Sequence, residues 1–261
     1  MWRFEKTNFI KEKLFNALLR RFYEYGLPGL VRENIQNSLD AHIPDLQEPV
    51  IVTIKTGEIK ADEIPGHNEI IEHIKSLHPN SSYTKEAIDE MKMHINKQTY
   101  NYISFEDENT IGLSGSKYED IIGGSTPYTA YAYSKGAHHV LKDEELEQSR
   151  GGSHGVGKIA SNSASNFNTM FFSNCDENGY QTLGGTIELM EHEYSGNSYR
   201  ATGYFSKEKN DFYYPYENIG FNKVFKKETR GLKNVVPYLR KQFLNEKEII
   251  KNVIDSFLLA I

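Results

Sequence analysis

Two hydrophobic rhythms run through the chain, one of helical period and one that alternates. From Phe9 to Tyr25 the apolar residues Phe9, Leu14, Leu18, Phe22 and Tyr25 recur at helical spacing. GLPG (Gly26 to Gly29) breaks that rhythm, and a second helix is predicted from about Leu30 to His42, stopped by Pro44. PVIVTIKT (Pro49 to Thr56) reads as a strand, and TYNYISFED (Thr99 to Asp107) alternates as a second. Between them, residues 57–98 are polar, with helical patches in NEIIEHIKSL and KEAIDEMKMHI, and are expected to form an excursion on the surface. Residues 112–148 are loop-rich and then strongly acidic in KDEELEQ. A short helix is expected over Ile159 to Ser165. Strands follow in FNTMFFSN, GTIELMEHEY and YRATGYFS, the first two separated by the turn DENG. EKEIIKNVIDSFLLAI closes the sequence as an amphipathic helix, and because it ends at Ile261 inside an apolar run, further chain is expected beyond it.

Composition narrows the class. With 38% hydrophobic residues, 17 Tyr and 14 Phe, the chain has the means to bury a core and does not read as disordered. A net charge of −6 argues against a general nucleic-acid coat. The richest basic run, Lys223 to Lys241, contains Lys226, Lys227, Arg230, Lys233 and Arg240, and is expected to be a solvated face. Cys175 is the only cysteine, so no intrachain disulfide can form, and a cytoplasmic location is expected. No segment approaches the roughly 18 apolar residues of a membrane span, so no membrane partner is expected.

The chemistry concentrates in SRGGSHGVGKIAS, Ser149 to Ser161. Gly152 to Lys158 satisfies the opening of a P-loop, but the next position, where a Ser or Thr hydroxyl would hold magnesium, is Ile159. The preceding LKDEELEQSR is acidic, not a buried strand. A different phosphate cradle remains, in which backbone N–H groups of the glycine loop and a following helix receive the phosphates, with Lys158 as a cation.

That cradle needs partners elsewhere. In LVRENIQNSLDAH (Leu30 to His42) helical geometry puts Glu33, Asn37 and Asp40 within about 60° of one another, with Val31, Ile35 and Leu39 opposite. The Asn37 amide oxygen can ligate magnesium, and the Glu33 carboxylate can take a proton from water. An ordinary amphipathic surface helix has the same pattern. In ISFEDENTIGLSG a strand delivers Asp107 into a turn followed by Gly112 and Gly115. A carboxylate there can accept a hydrogen bond from an adenine amino group, and an acidic turn is the plainer alternative.

The order of helix, aspartate strand, long loop and glycine loop resembles the GHKL (Bergerat-fold) ATPases. ENIQNSLDA resembles their first motif, above all in its MutL form, and GGSHGVGK resembles the gyrase-type third motif. The resemblance implies Glu33 as general base, Asn37 as magnesium ligand and Asp107 as adenine acceptor. It further implies nucleotide contacts from Asp40, Asn109, Gly112, Leu113, Gly152, Ser153, His154, Gly155, Val156, Gly157 and Lys158, with Lys158 also supporting catalysis. The second motif departs from D-x-G-x-G, since Asn109 occupies its first glycine slot and Gly112 comes one residue late. For the family's later threonine, Thr186 is one candidate and the position of Leu232 in TRGLKNVV the other.

The implied fold is a two-layer α/β (α+β) sandwich, a mixed and largely antiparallel sheet with helices on one face. Its plan is an ATP-binding domain over residues 1–202 with a lid at 113–151, and residues 203–261 as its last part or the start of a transducer. ATP and Mg2+ are the implied cofactors. The implied partners are a second copy of the chain on ATP binding and a further domain or protein, through which nucleic acid could be contacted. Because a carboxylate stands at position 33, hydrolysis is expected rather than histidine-kinase chemistry. His42 is expected to be packed or surface-exposed. His67, His73 and His78 fit neither usual zinc spacing and are expected to be solvated. Ser153 and His154 are adjacent and do not form a nucleophile–base pair, and Cys175 is expected to be packed. Two other classes stay open: a nucleotide sensor that does not hydrolyse, and a nucleic-acid scaffold using the 223–241 run.

Overall fold

The computed structural model describes residues 1–7, 17–79, 81–133 and 158–259. Among these the chain is a mixed α and β protein built on one nine-stranded sheet in which every strand pairing is antiparallel. The main path runs β1 (Trp2–Lys6), β7 (Asn197–Phe205), β5 (Gln181–Glu188), β4 (Thr169–Cys175), β11 (Gly231–Val236), β3 (Thr99–Glu108) and β2 (Ile51–Lys60). Two short strands attach at its flank, β6 (His192–Tyr194) on β7 and β10 (Tyr216–Glu217) on β5. A separate hairpin joins β8 (Lys207–Lys209) to β9 (Phe212–Tyr214). Residues beyond 203 therefore supply β11, which lies between β4 and β3 in the middle of the sheet.

Strand alternation sorts the core into two sides. On one side, β3 presents Ile103 and Phe105, and β11 presents Val236, to the helices α1 (Ala17–Asp40) and α7 (Glu246–Phe257). Leu30, Val31 and Ile35 of α1 meet Ile249 and Phe257 of α7 there. On the same side, Met170 and Phe172 of β4 receive Ile121 of α4 (Tyr118–Ile122) and Tyr128 and Ala132 of α5 (Pro127–Tyr133). α6 (Lys158–Ser163) packs between α1 and the sheet.

α1 is two helices joined at a kink. Gly26 sits at φ 57°, ψ −145°, and Pro28 follows inside the next turn. A glycine ends the first piece at low steric cost, and proline starts the second, where its missing N–H has no helical partner to lose.

The opposite side of the sheet is covered too, which the sequence did not lead us to expect. α2 (His67–Lys75) and α3 (Ser82–His94) pack there against Tyr100, Phe171, Leu183, Ile187 and Val235. Ile70, Ile74 and Leu77 are fully buried, and each such side chain contributes roughly 1.5–3 kcal/mol of transfer free energy. The polar excursion expected over residues 57–98 is thus amphipathic, with its apolar half spent on the largest core cluster. A capping box fixes the start of α3, Ser81 Oγ accepting from the Thr84 N–H at 3.2 Å and Thr84 Oγ1 from the Ser81 N–H at 2.9 Å.

Candidate functional site

Asp107 lies near the end of β3 on the side of the sheet that α1 covers. It is 5% exposed, and its carboxylate is held by three donors. Oδ1 accepts from the Thr110 hydroxyl at 2.6 Å and from the Leu232 N–H at 2.7 Å, and Oδ2 accepts from the Ser38 hydroxyl at 3.0 Å. Burial pushes the Asp107 carboxyl above the usual range, against the opposing pull of these three donors and of the Lys227 charge. An ionised carboxylate offers about four acceptor positions. With two used on Oδ1 and one on Oδ2 by the described residues, one position on Oδ2 is left for a further donor.

The backbone around Asp107 is shaped for that close fit. Gly231 has φ 135°, and a Cβ there would stand 2.5 Å from Asp107 Oδ1, so the approach of β11 to the carboxylate requires glycine. After β3 the chain turns through Asn109, at φ 64°, whose side-chain amide donates to the Pro49 carbonyl at 2.7 Å. The left-handed turn that D-x-G-x-G would give to glycine is therefore carried by asparagine. The turn is tied to the end of α1 by two hydrogen bonds, Ile111 N–H to the Ala41 carbonyl at 2.8 Å and Ile43 N–H to the Asn109 carbonyl at 3.2 Å. Gly112 follows at φ 67°. Leu113 is then gripped at both ends by the buried Asn174 amide, 2.7 Å at its N–H and 2.8 Å at its carbonyl.

Helix α1 faces this turn with a polar stripe inside an apolar one. Asn34 and Ser38 are buried with Leu30 and Val31 on the surface that meets the sheet. Asn34 Nδ2 donates to the Leu30 carbonyl at 2.9 Å and to Ser161 Oγ of α6 at 3.1 Å, and its Oδ1 accepts from Asn234 Nδ2 of β11 at 3.0 Å. Asn234 in turn accepts from the Tyr131 hydroxyl of α5 at 2.9 Å. Four elements, α1, α5, α6 and β11, thus share one hydrogen-bonded chain.

Glu33 and Asn37 are both half-buried. Each precedes one of the two buried polar residues by one position, so helical spacing puts them on the flank of that stripe, away from Val31 and Ile35. Val31 and Ile35 do anchor the helix, as expected, but the centre of the buried stripe is rotated toward Asn34 and Ser38. Asp40 accepts from Gln36 Nε2 at 2.7 Å, a pair within the helix.

α6 opens at Lys158, one residue before the predicted start, and Ile159 is buried in it. Gly152, Ser153, His154, Gly155, Val156 and Gly157, all expected to contact the nucleotide, lie outside the described residues. Of the two candidates for the later threonine, Thr186 is buried beneath α6 and exchanges hydrogen bonds with Asn162. The other position, Leu232, reaches Asp107 through its backbone N–H, and Thr110 donates its hydroxyl to the same carboxylate.

Ser38, Thr110 and Asn174 were not singled out from the sequence. Ser38 had a signal, since it continues the sheet-facing stripe of Leu30 and Asn34 at helical spacing. Thr110 and Asn174 had none, because their roles depend on a turn and on a strand pairing.

Other expectations resolve plainly. His67 and His73 are not solvated: His67 Nδ1 lies 3.0 Å from the Tyr238 hydroxyl, and His73 is buried against His192. His78 is exposed. His42 is half-buried, its Nε2 3.0 Å from the Glu48 carbonyl. Cys175 is buried, and burial pushes its thiol up.

The 223–241 run is not a solvated basic face either. Lys227 is fully buried and stands 3.5 Å from Glu106, which also pairs with Lys233 at 3.2 Å. Arg230 binds the Ile111 carbonyl and Glu177, and Arg240 binds the Ser163 carbonyl and Glu90. Among the described residues no group of three or more His, Cys, Asp or Glu could hold a metal ion, and no helix is long and apolar enough to cross a membrane. The chain matches no family model and no curated protein.

Proposed function

We propose that the chain binds ATP with magnesium between α1, the Asp107 turn and the glycine loop, and hydrolyses it slowly, as a Bergerat-type (GHKL) domain. The observation that carries this reading is the Asp107 carboxylate, fixed by Ser38, Thr110 and Leu232 with one acceptor position left, beneath the helix that bears Glu33 and Asn37. An adenine amino group is the donor that position would take. A guanine carbonyl in the same place would meet a carboxylate and be repelled.

The donor set suits magnesium in one respect. That ion keeps most of its waters and takes few protein ligands beside substrate phosphates, so Asn37 alone is a sufficient side-chain ligand and no carboxylate cluster is needed. When bound, the ion would screen phosphate charge. Glu33 would accept the proton of the attacking water. Lys158 and the N–H groups of residues 152–157 would meet the charge on the terminal phosphate. The helix and the Asp107 turn are joined through Ala41, Ile43, Asn109 and Ile111, so base recognition and the proposed general base sit on one rigid unit.

In this reading ATP gates association of two copies, and the chain acts as a conformational switch in a larger DNA-processing or defence protein of the cytoplasm. A sensor that binds without hydrolysis is the nearest rival. The scaffold alternative loses its main support, because Lys227, Arg230, Lys233 and Arg240 are engaged within the fold.

Steady-state phosphate release by wild type beside Glu33→Ala tests hydrolysis. Loss of a general base costs about 10²–10⁴-fold, so Glu33→Ala should fall to background while still binding ATP. Equal rates in the two proteins would refute Glu33 as the base, and binding with no phosphate release by wild type would favour the sensor.

A further inference from the structure

Far from Asp107, at the edge of the sheet, β1 and β7 part company. Phe4 pairs with Gly203, but Lys6 pairs with Tyr199, so two residues of β1 span four of β7. A cavity of about 480 Å3 opens beside this splay, a size in the range of small-molecule sites. One wall is aromatic. The His73 ring stands 4.4 Å from Phe4 and 4.6 Å from Tyr194 between centroids, and Tyr199 packs on Phe4.

The hydrogen bonds of that wall fix a proton pattern. His192 Nδ1 lies 2.7 Å from the Met190 carbonyl, which can only accept, so His192 carries its proton on Nδ1. Its Nε2 is then an acceptor and takes the proton of His73 Nδ1 at 2.7 Å. His73 lines the cavity whereas His192 does not, and the remaining His73 nitrogen, Nε2, is a bare acceptor with no protein donor among the described residues. A buried polar pair in an aromatic core is costly beside an apolar filling of the same shape. It gains a purpose if a ligand completes it.

The other wall is charged. Arg3 pairs with Glu208 at 3.4 Å and Arg200 with Glu5 at 3.3 Å, and Lys6 adds a third cation, so the cavity carries one more positive charge than negative. The Arg3 Nε–H is buried and has no acceptor among the described residues.

We propose that this cavity is a second ligand site, for a nucleoside monophosphate whose base donates a ring N–H to His73 Nε2 while its phosphate meets Arg3, Arg200 and Lys6. Phe4, Tyr194 and Tyr199 give the base an aromatic enclosure, and the excess cation matches the anionic tail. The site is separate from Asp107 and does not depend on ATP chemistry there.

Trp2, the chain's one tryptophan, lines the cavity and reports on it directly. UMP and GMP are suitable probes, since both bases carry a ring N–H and neither presents an adenine amino group to Asp107. The expected result is a saturable change in Trp2 emission with either nucleotide. His73→Phe should weaken UMP binding about five- to tenfold, the worth of one hydrogen bond. Arg200→Gln, at a side chain that is 60% exposed, should weaken UMP but leave uridine unchanged. No saturable response in wild type, equal affinity for UMP and uridine, or indifference to both substitutions would each overturn the proposal.

Discussion

The Ser38 hydroxyl stands 3.0 Å from Asp107 Oδ2, joining helix α1 to the end of β3. That single contact links the two segments whose chemistry matters most, and it is buried at both ends. Ser38→Ala should therefore lower stability by about 1–3 kcal/mol, the cost of a buried charged acceptor losing a donor. Urea denaturation reads the loss, and ATP binding should weaken with it as the carboxylate loses its fixed orientation.

Gly231 sets a sharper demand. A methyl group there would lie 2.5 Å from Asp107 Oδ1 at φ 135°, whereas at Gly196, with φ 76°, the space is open. Gly196→Ala should cost about 1 kcal/mol from backbone strain alone. Gly231→Ala should cost several times that, and paired thermal melts distinguish the two.

Glu106 serves two cations, Lys227 and Lys233. Glu106→Gln leaves a fully buried ammonium without its counter-charge and should destabilise by about 3–5 kcal/mol. Lys233→Met, which leaves one cation and one anion still paired, should cost clearly less in the same denaturant assay.

The buried histidines give stability a pH dependence of known sign. Burial lowers His73 to about 4, with the neighbouring His192 acting the same way, and burial lowers His67, His94 and His192 as well. A depressed pKa means that the unfolded chain binds more protons between about 4 and the ordinary histidine value near 6.5. Stability should rise with pH across that window and fall on acidification through it. Urea midpoints measured from pH 4 to 7 should show this slope, and His73→Phe should flatten it.

The sequence carried the longer strands β2, β3, β4, β5 and β7 and most of the helices, because their periodicity is local, but it did not carry β1 or β11, which the sheet brings together with distant partners. It carried the helix over Leu30 to Asp40 and the placing of Glu33 and Asn37 on its flank as well, since helical spacing is local, but not the role of Ser38. It did not carry the second covered face of the sheet: Ile70, Ile74 and Leu77 lie among enough charged residues that the stretch reads as solvent-facing until the partner strands are in place. Nor did it distinguish a basic face from buried pairs, since Lys227 meets Glu106 only once β3 and β11 are neighbours. The left-handed turn at Asn109 was legible, since asparagine tolerates positive φ in the glycine slot, but the hydroxyl of Thr110 shows the same limit. Residue type allowed that role, and only the fold assigns it.

Isothermal titration of ATP with magnesium into wild type, Glu33→Ala and Asp107→Asn tests the central claim most directly. The carboxamide at position 107 keeps the shape of the side chain but replaces acceptor capacity with donors facing Ser38 and the incoming amino group. Wild type and Glu33→Ala should bind ATP alike, and Asp107→Asn should lose at least about tenfold, as expected for one hydrogen bond to a charged group. Undiminished ATP affinity in a folded Asp107→Asn protein would contradict the account.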